Sequence, residues 1–553
     1  MRITKNIIAL SLCFNFTIGF AQVDVEHNNN NDFEILKNLE LFELVYKNID
    51  LNYVDEPNPG ELMKVAIDAM LLELDPYTNY IPESLIEDYK LMQTGQYGGI
   101  GAIIRQNDDY VMIVDPHEGF PAQKSGLESG DVFLEINGRS VKGLSSSEVS
   151  DKLKGKPGTT LKIKVDRNGE EITKDIVREE IKFSPVPFYD MINSEVGYIK
   201  LSSFTQTAGA DFMNAFKDLK ANKGMKKLVF DLRGNGGGLV NEAVKIVNMF
   251  VPQGTEIVSI KGRDVSVNQT YIAKLKPEDA EMPIVVLVDG GSASASEIVS
   301  GALQDLDRAV IVGQTSFGKG LVQRPLDLKY NAKIKVTIAK YYTPSGRCIQ
   351  KLDYSHREQG DKASAISDSL LKKFYTKIGR EVIDGRGVEP DVTVDLKDYS
   401  DLTKTLALEN LLFEYGTKFK RDNATIPGPK EFKFSDEHYN DFITYVQAQD
   451  FEYMTESMLI LKELEKLAKE ENRLEDAQAE FDAMHKKLDP SKSKDLIKYK
   501  SEIIPLLEDE IIGRYYYQNG RIEHGLIEDD FINEAIEILQ TSSRYNTILK
   551  IEE

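Results

Sequence analysis

Apolar strand-like runs alternate with helical segments between residues 184 and 350, and this pattern constrains the fold more than any other feature. The runs lie at residues 196–201, 228–232, 284–288 and 309–312 and are rich in Val, Ile and Leu. Strands that are apolar along their whole length are typical of a sheet covered on both faces. The pattern therefore predicts an α/β domain over residues 183–397.

The rest of the chain contains three regions with other sequence patterns. At 553 residues the chain is too long for one compact core, so several domains are expected. Periodic apolar residues predict a helical module at residues 33–92, and short alternating strands with glycine turns predict a β-rich domain at residues 93–182. A charged, helically periodic pattern predicts a C-terminal helical domain at residues 398–553. The predicted class is an α/β multidomain protein.

Residues 1–21 have the three parts of a secretory signal peptide. Arg2 and Lys5 precede an apolar run at residues 7–20, and small Ala21 follows. Residues 22–32 are predicted to form a polar spacer. We therefore expect an exported, periplasmic protein, with membrane association left open. No later segment reaches the roughly 20 apolar residues that span a bilayer, so no integral membrane segment is expected after the signal is removed.

Composition excludes several classes of function. The 90 acidic and 68 basic residues give a net charge of -22, which repels phosphate backbones, so nucleic acid is not an expected partner. Two cysteines are too few for a disulfide framework or a cysteine-rich metal site. No histidine lies between residues 118 and 355, which excludes a histidine-based catalytic site there. We predict no metal and no organic cofactor.

A turn of small residues joins the apolar run at 284–288 to the next helical segment. The turn contains Ser292, Ser294 and Ser296. A turn from strand into helix places one side chain over the sheet edge, beside the free N–H groups of the helix start. This arrangement suits a nucleophile. A serine that only caps the helix is the alternative.

Lys319 is the candidate base, because no histidine is available. The chain runs about 18 Å along the helix and returns through a strand at ~3.3 Å per residue, which brings Lys319 back near the turn. Gly318 and Gly320 allow close backbone approach. Burial lowers a lysine pKa by ~3 to 5 units, enough to supply the neutral amine that a base requires. The alternative is an exposed loop lysine.

These residues suggest a hydrolytic mechanism. We hypothesise that Ser294 attacks a peptide carbonyl and that neutral Lys319 accepts its proton and later donates one to the leaving amine. Gln323, four residues beyond Lys319, orients the lysine without adding charge. The glycine-rich loop at residues 233–238 supplies one oxyanion donor, and the N–H of Ala295 supplies the other. A phosphate-binding turn is the alternative for this loop, but no Walker pattern fits.

Together the motifs resemble those of the carboxyl-terminal processing peptidases, or tail-specific proteases, which are serine-lysine endopeptidases. The resemblance covers about residues 33–395 and rests on ordered matches at residues 231–238, 291–297, 317–323 and 341–347. It implies a crotonase/Clp-like α/β protease core.

The resemblance also assigns roles at the site. It implies that Ser294 is the nucleophile, because this serine precedes Lys319 by 25 positions, and that Gln323 is the partner of the lysine. Ser292 and Ser296 are the alternative nucleophiles. The implied oxyanion hole contains the Ala295 N–H and a glycine of the loop, Gly237 or Gly238, and the choice between the glycines stays open.

The β-rich region resembles a PDZ domain. Its predicted carboxylate-binding loop is Gly99, Ile100, Gly101 and Ala102, whose backbone N–H groups would bind a terminal carboxylate while an extended peptide pairs with a sheet edge. A helix with a capping box at residues 145–148 would form the other wall of the groove. The implied partners are protein or peptide substrates with free C-termini. A domain that serves only as a spacer is the alternative.

The sequence is compatible with two alternative functions and with one further kind of partner. One function is a PDZ peptide-binding scaffold with a degenerate protease core. The other is a crotonase-like acyl-CoA enzyme, because glycine-built oxyanion holes also serve thioester chemistry. The C-terminal helical domain is a candidate surface for a homo-oligomer or an adaptor.

Overall fold

The computed structural model describes residues 29–355, 363–488 and 490–550. The predicted signal peptide at residues 1–21 lies outside these ranges, as do residues 22–28 of the predicted spacer. The chain divides into two compact units, one ending at Met70 and the other beginning at Leu71.

Two helices lie in the first unit, and the second of them runs on to Leu72. They are α1 Asn29–Asn52 and α2 Pro59–Leu72. Helix α1 begins inside the predicted polar spacer at residues 22–32. Its large apolar side chains, among them Phe33 and Leu36, are exposed.

The second unit begins with a short connecting segment. It contains β1 Asn79–Ile81, a 3-10 helix at Glu83–Leu85 and α3 Ile86–Thr94. The segment leads into the β-rich region.

The β-rich region predicted at residues 93–182 forms a six-stranded sheet, a separate two-stranded sheet and two helices. Its elements are β2 Gln96–Gly99, β3 Ala102–Asn107, β4 Tyr110–Pro116, α4 Pro121–Lys124, β5 Val132–Ile136, β6 Arg139–Ser140, α5 Ser146–Leu153, β7 Thr160–Arg167, β8 Glu170–Val177 and β9 Glu179–Lys182. The strands pair in the order β3-β4-β5-β7-β8, with β6 on β5 and β2 on β9. The predicted capping box begins α5, where the N–H of Glu148 donates to Ser145 Oγ and the N–H of Ser145 donates to the Glu148 carboxylate.

The α/β region follows. Its elements are β10 Phe188–Met191, β11 Val196–Lys200, α6 Ala208–Asn222, β12 Lys227–Asp231, α7 Val240–Asn248, β13 Glu256–Gly262, β14 Gln269–Ile272, β15 Ile284–Val288, α8 Ala295–Asp305, β16 Val310–Gly313, β17 Leu321–Asp327, β18 Lys333–Tyr342, β19 Leu352–Asp353, β20 Ser364–Ala365, β21 Lys373–Tyr375, β22 Glu381–Ile383 and β23 Val392–Thr393, with 3-10 helices at Val265–Val267 and Asp368–Leu370.

The C-terminal region is helical. Its helices are α9 Asp401–Leu408, α10 Leu411–Asp422, α11 Asp436–Gln447, α12 Glu456–Glu470, α13 Leu474–Leu488, α14 Lys492–Lys498, α15 Lys500–Gly525, α16 Asp530–Gln540 and α17 Ser542–Leu549. Helices α9, α10, α11, α14 and α15 share one apolar core. Helices α12 and α13 form a hairpin with a small cluster of its own.

Two sheets organise the α/β region. The first has the order β10-β11-β12-β15-β16-β23, and its strands are parallel except for β10. The second is antiparallel and contains β1, β18, β13 and β14, with β17 also paired to β18. The connecting segment before the β-rich region is therefore anchored to the α/β region through β1.

Both faces of the parallel sheet are covered, as its apolar strands predicted. Along β15 the side chains alternate between two cores. Ile284 and Val286 pack with α6, α7 and α8, whereas Val285 and Leu287 pack with α16 and α17. The predicted α/β multidomain class is confirmed. The last two helices of the region predicted as a C-terminal helical domain thus complete the core of the α/β region.

None of the helices in the described ranges has both the length and the apolar character needed to cross a membrane.

Candidate active site

The turn between β15 and α8 places Ser294 in an unusual backbone conformation. Its φ and ψ are 56° and -110°. A positive φ is costly for a residue with a Cβ, by about 1 to 3 kcal/mol, and persists only where the surroundings hold it. Here the carbonyl oxygen of Ser294 accepts a hydrogen bond from Tyr341 Oη at 3.0 Å, and its N–H donates to Glu297 Oε2 at 2.7 Å.

The three serines of the turn differ in what their hydroxyls contact. Ser292 and Ser296 are fully buried, and their hydroxyls donate to the carbonyl oxygens of Leu232 at 2.9 Å and Asn235 at 2.8 Å. Ser294 is only half-buried, and within the described residues its hydroxyl donates to no acceptor. Ser294 is therefore the serine of this turn with a hydroxyl that a substrate can reach.

The glycine-rich loop after β12 packs directly against the serine turn. A Cβ added to Gly237, which has a φ of 100°, would lie 2.6 Å from the carbonyl oxygen of Ala293. A Cβ on Gly238 would lie 2.5 Å from the carbonyl oxygen of Phe204. Only glycine allows this approach at both positions.

The backbone N–H groups near the turn distinguish the two glycines. The N–H of Gly237 donates to Asn235 Oδ1 at 2.9 Å. The N–H groups of Gly238 and Ala295 have no acceptor among the described residues. The N–H groups of Gly238 and Ala295 are therefore free to bind an anion, whereas the N–H of Gly237 is already bonded.

Glu297 links the turn that contains Ser294 to the lysine loop at residues 316–319 through hydrogen bonds to its carboxylate. This residue is fully buried, and its carboxylate accepts the N–H of Lys319 at 2.9 Å in addition to the N–H of Ser294. The N–H of Gly318 and the hydroxyl of Ser316 donate to the other carboxylate oxygen at 2.7 and 2.6 Å. The chain was predicted to return from Ser294 to a nearby Lys319. It does so, and the backbone N–H groups of both residues donate to this carboxylate.

Lys319 is half-buried beside the glycines that flank it. Burial, together with the positive charge of Lys335, lowers the pKa of Lys319 to about 8, against the opposing effect of Asp75 and Glu297. At this pKa about a tenth of the lysine is neutral at pH 7, far more than at the ordinary value. The environment therefore raises the fraction of the neutral amine that a general base requires.

The side chains of Lys319 and Gln323 are directed elsewhere in this structure. Lys319 Nζ lies 4.2 Å from the centre of the Tyr77 ring, and no hydrogen bond among the described residues joins it to the Ser294 hydroxyl. Gln323 Nε2 donates to Thr337 Oγ1 at 3.2 Å, because Gln323 lies opposite Thr337 in the pairing of β17 with β18. The structure brings the backbones of the predicted dyad together but not its reacting atoms, and it does not bring Gln323 to Lys319.

The sequence reasoning missed Glu297 and Tyr77. Glu297 lies three residues after Ser294, a spacing typical of a capping box, so the pattern could have indicated that it accepts the N–H of Ser294. Tyr77 lies in a loop far away in the chain, where no periodicity marks it. Its contact with Lys319 depends on the pairing of β1 with β18.

The predicted carboxylate loop lies between β2 and β3. Gly99 ends β2, Ala102 begins β3, and Gly101 has a φ of 71°. Ile100 is buried in the core of the β-rich region. Strand β3 is at the edge of its sheet and α5 packs beside it, so the walls of a peptide groove are present.

No group of three or more His, Cys, Asp or Glu side chains in the described part of the chain could hold a metal ion.

Comparison with known families finds three matching domains in the chain. Profiles match for "Peptidase family S41" at residues 195–355, for "PDZ domain" at residues 98–177 and for "Probable PDZ-protease, C-terminal helical domain" at residues 402–539. The predicted PDZ domain and protease core are thereby confirmed.

Curated relatives are named as carboxy-terminal-processing or CtpA-like proteases. A carboxy-terminal-processing protease of Bartonella bacilliformis is 37% identical over 326 residues, which cover 58% of this chain and 74% of the relative. A probable CtpA-like serine protease of Staphylococcus aureus is 34% identical over 406 residues, which cover 73% of this chain and 70% of the relative. Among solved structures, the photosystem II D1 C-terminal processing protease is 28% identical and has a TM-score of 0.36, covering 64% of this chain and 92% of that one. The chain therefore belongs to peptidase family S41 and is a serine peptidase of the carboxy-terminal-processing class.

Proposed function

We propose that this peptidase is an exported endopeptidase that cuts proteins and peptides presented by their C-terminal tails, with Ser294 and Lys319 as its catalytic dyad. One observation carries the assignment. Ser294, in a strained turn at the start of α8, has a reachable hydroxyl, and the buried carboxylate of Glu297 binds the backbones of both Ser294 and Lys319.

The proposed reaction proceeds through an acyl-enzyme. Ser294 Oγ attacks the scissile carbonyl carbon while neutral Lys319 Nζ accepts the hydroxyl proton. The N–H groups of Gly238 and Ala295 donate to the oxyanion that forms. Lys319 then donates its proton to the leaving amine as the C–N bond breaks, and afterwards deprotonates the water that hydrolyses the ester. For these steps the lysine leaves the Tyr77 ring.

Tail recognition is assigned to the PDZ domain. The loop Gly99, Ile100, Gly101 and Ala102 leads into the edge strand β3, whose outer side pairs with no other strand of the described residues, as pairing with an extended peptide requires. Export is assigned to residues 1–21, and the periplasm is the proposed location. We further propose that Gln323 orients Lys319 once the lysine is engaged.

Substitutions at the dyad test the proposal. We expect Ser294→Ala and Lys319→Ala to abolish cleavage of a protein substrate with a free C-terminal tail while the melting temperature is retained. Lys319→Arg keeps the positive charge but supplies no neutral amine, so it is expected to be equally inactive. Ser292→Ala and Ser296→Ala are expected to have much smaller effects. Turnover retained in Ser294→Ala or Lys319→Ala would refute the dyad.

The tail requirement needs a separate experiment. The same substrate is compared with a free and with an amidated C-terminus. A terminal carboxylate bound by backbone N–H groups predicts a higher KM for the amidated form, with kcat changed much less. Equal KM values for the two substrates would contradict recognition of the tail by its carboxylate.

A further inference from the structure

The ammonium of Lys319 contacts an aromatic ring that lies outside the catalytic motifs. Lys319 Nζ is 4.2 Å from the centre of the Tyr77 ring. A cation at this distance over a ring is attracted to the negative face of the π system, most strongly where water is excluded. Both side chains are partly buried, so this attraction is effective.

Tyr77 is held in place by the turn at residues 75–78. The N–H groups of Tyr77 and Thr78 donate to the buried carboxylate of Asp75 at 2.8 and 2.7 Å. The Tyr77 ring also packs edge-on against Tyr354, with centroids 6.1 Å apart. The ring therefore presents a fixed surface to the lysine.

The same turn is linked to Gln323 by two hydrogen bonds through Thr337. The N–H of Thr337 on β18 donates to Thr78 Oγ1 at 3.1 Å, and Thr337 Oγ1 accepts from Gln323 Nε2 at 3.2 Å. Both the base and the amide proposed to orient it are therefore directed toward the 75–78 turn and its partner on β18. The turn lies outside the four motifs that define the dyad.

We propose that Tyr77 is a positioning residue that holds the protonated Lys319 away from Ser294 in the resting enzyme, so that catalysis requires the lysine to leave the ring. This inference rests on the proposed dyad. It follows that an enzyme without the ring has a larger fraction of Lys319 free to reach the Ser294 hydroxyl.

The contact distinguishes the two protonation states of the lysine. A ring attracts the ammonium but not the neutral amine, so loss of the proton also removes the attraction that holds the side chain. The other charged groups that face Lys319 are Lys335 on β18, Asp75 in the turn and Glu297 on α8. None of them is a hydrogen-bond partner of Lys319 Nζ in the described residues, which leaves the ring as its close contact.

Tyr77→Leu tests the proposal, because leucine keeps an apolar wall but removes the ring. The readout is the rate at which a fluorophosphonate probe labels the nucleophilic serine at pH 7, followed by intact mass. We expect about fivefold faster labelling than in the wild type, since the lysine spends more time near Ser294. Tyr77→Phe retains the ring, and its labelling is expected to follow that of the wild type.

A purely structural role for Tyr77 predicts the opposite. Loss of packing would slow labelling in Tyr77→Leu, and a wild-type or slower rate in that variant overturns the proposal. Acceleration of equal size in Tyr77→Phe also overturns it, because the ring is still present. If the leucine variant does not fold, Tyr77→Met replaces it with the same expected result. Tyr80→Leu, on β1 in the same segment, is a control that should leave the labelling rate unchanged.

Failure of the dyad itself is detected in parallel. Labelling or hydrolysis that persists in Ser294→Ala refutes the proposed function and the Tyr77 proposal with it. If Ser294→Ala and Lys319→Ala are both unreactive and Tyr77→Leu is no faster than the wild type, the dyad stands and only the role of Tyr77 is refuted.

Discussion

The buried carboxylate of Glu297 accepts the backbone N–H of Ser294 at 2.7 Å. The same carboxylate accepts the N–H groups of Gly318 and Lys319 and the hydroxyl of Ser316. Burial raises the pKa of Glu297, while these four donors favour its ionised form. One side chain therefore fixes the spacing between the backbones of the proposed nucleophile and base.

Glu297→Gln is expected to lower kcat by about 100-fold, with a smaller change in KM. An amide has only one acceptor oxygen, so its NH2 group would oppose two of the present donors. Each unsatisfied buried donor costs about 1 to 3 kcal/mol, and the serine turn and lysine loop would separate to relieve this cost. Steady-state kinetics on a tailed peptide and denaturant unfolding measure both effects.

Glu242→Gln is the matched control for this prediction. Glu242 is also buried in the first turn of a helix, α7, and accepts a backbone N–H, that of Gly209 at 2.9 Å. We expect this variant to lose stability without losing kcat. Equal losses of kcat in the two variants would show that Glu297 acts only through general stability.

Activity is expected to rise with pH through a midpoint near 8. The proposed base, Lys319, must be neutral to act, and its pKa is lowered to about 8, mainly by burial, so kcat/KM is expected to increase as the pH passes this value. Lys335→Gln removes a positive charge that lowers the pKa of Lys319, and the midpoint should therefore move to higher pH. Lys335→Arg should keep it in place. The pH dependence of kcat/KM is the measurement.

An exposed lysine on the same strand controls for non-specific charge effects. Lys340 is on β18, and Lys340→Gln should leave the midpoint unchanged. A midpoint that moves equally in the Lys335 and Lys340 variants would count against a local effect on Lys319.

The secondary-structure elements of this protein could be predicted from local sequence patterns, whereas the contacts between distant segments could not. The turn that contains Ser294 was predictable, because an apolar run followed by small residues determines a strand, a turn and a helix within about 20 residues. The amphipathic C-terminal helices were also predictable as helices. That α16 and α17 would cover the second face of the sheet was not, since an apolar stripe does not specify its partner. Gln323 likewise bonds to Thr337, which faces it across the β17–β18 pair.

The glycine-rich loop is expected to depend on the C-terminal region through Arg233. The guanidinium of Arg233 binds the buried carboxylate of Asp231 at 2.8 Å and that of Asp529, at the start of α16, also at 2.8 Å. Asp529→Asn keeps the oxygen that caps α16 but removes the charge. We expect kcat to fall by about fivefold, because the loop proposed to supply an oxyanion donor loses one restraint. Kinetics and the melting temperature are the measurements.

The neighbouring residue supplies the control for Asp529. Asp530 is exposed, and its contact with Lys397 at 3.4 Å is an exposed ion pair. Such pairs contribute little, so Asp530→Asn should leave kcat and the melting temperature near wild-type values. A similar loss of kcat in both variants would argue against the path through Arg233.

Adjacent glycines in the same loop should respond very differently to alanine. At Gly237 a methyl group would lie 2.6 Å from the carbonyl oxygen of Ala293 and 2.9 Å from Ser294 Cβ, whereas at Gly236 nothing lies within 4 Å. Gly237→Ala must displace the serine turn or the loop, so we expect at least ~100-fold loss of kcat/KM and a lower melting temperature. Gly236→Ala should retain wild-type kinetics, and comparable activity of the two variants would mean that the loop does not pack against Ser294 during catalysis.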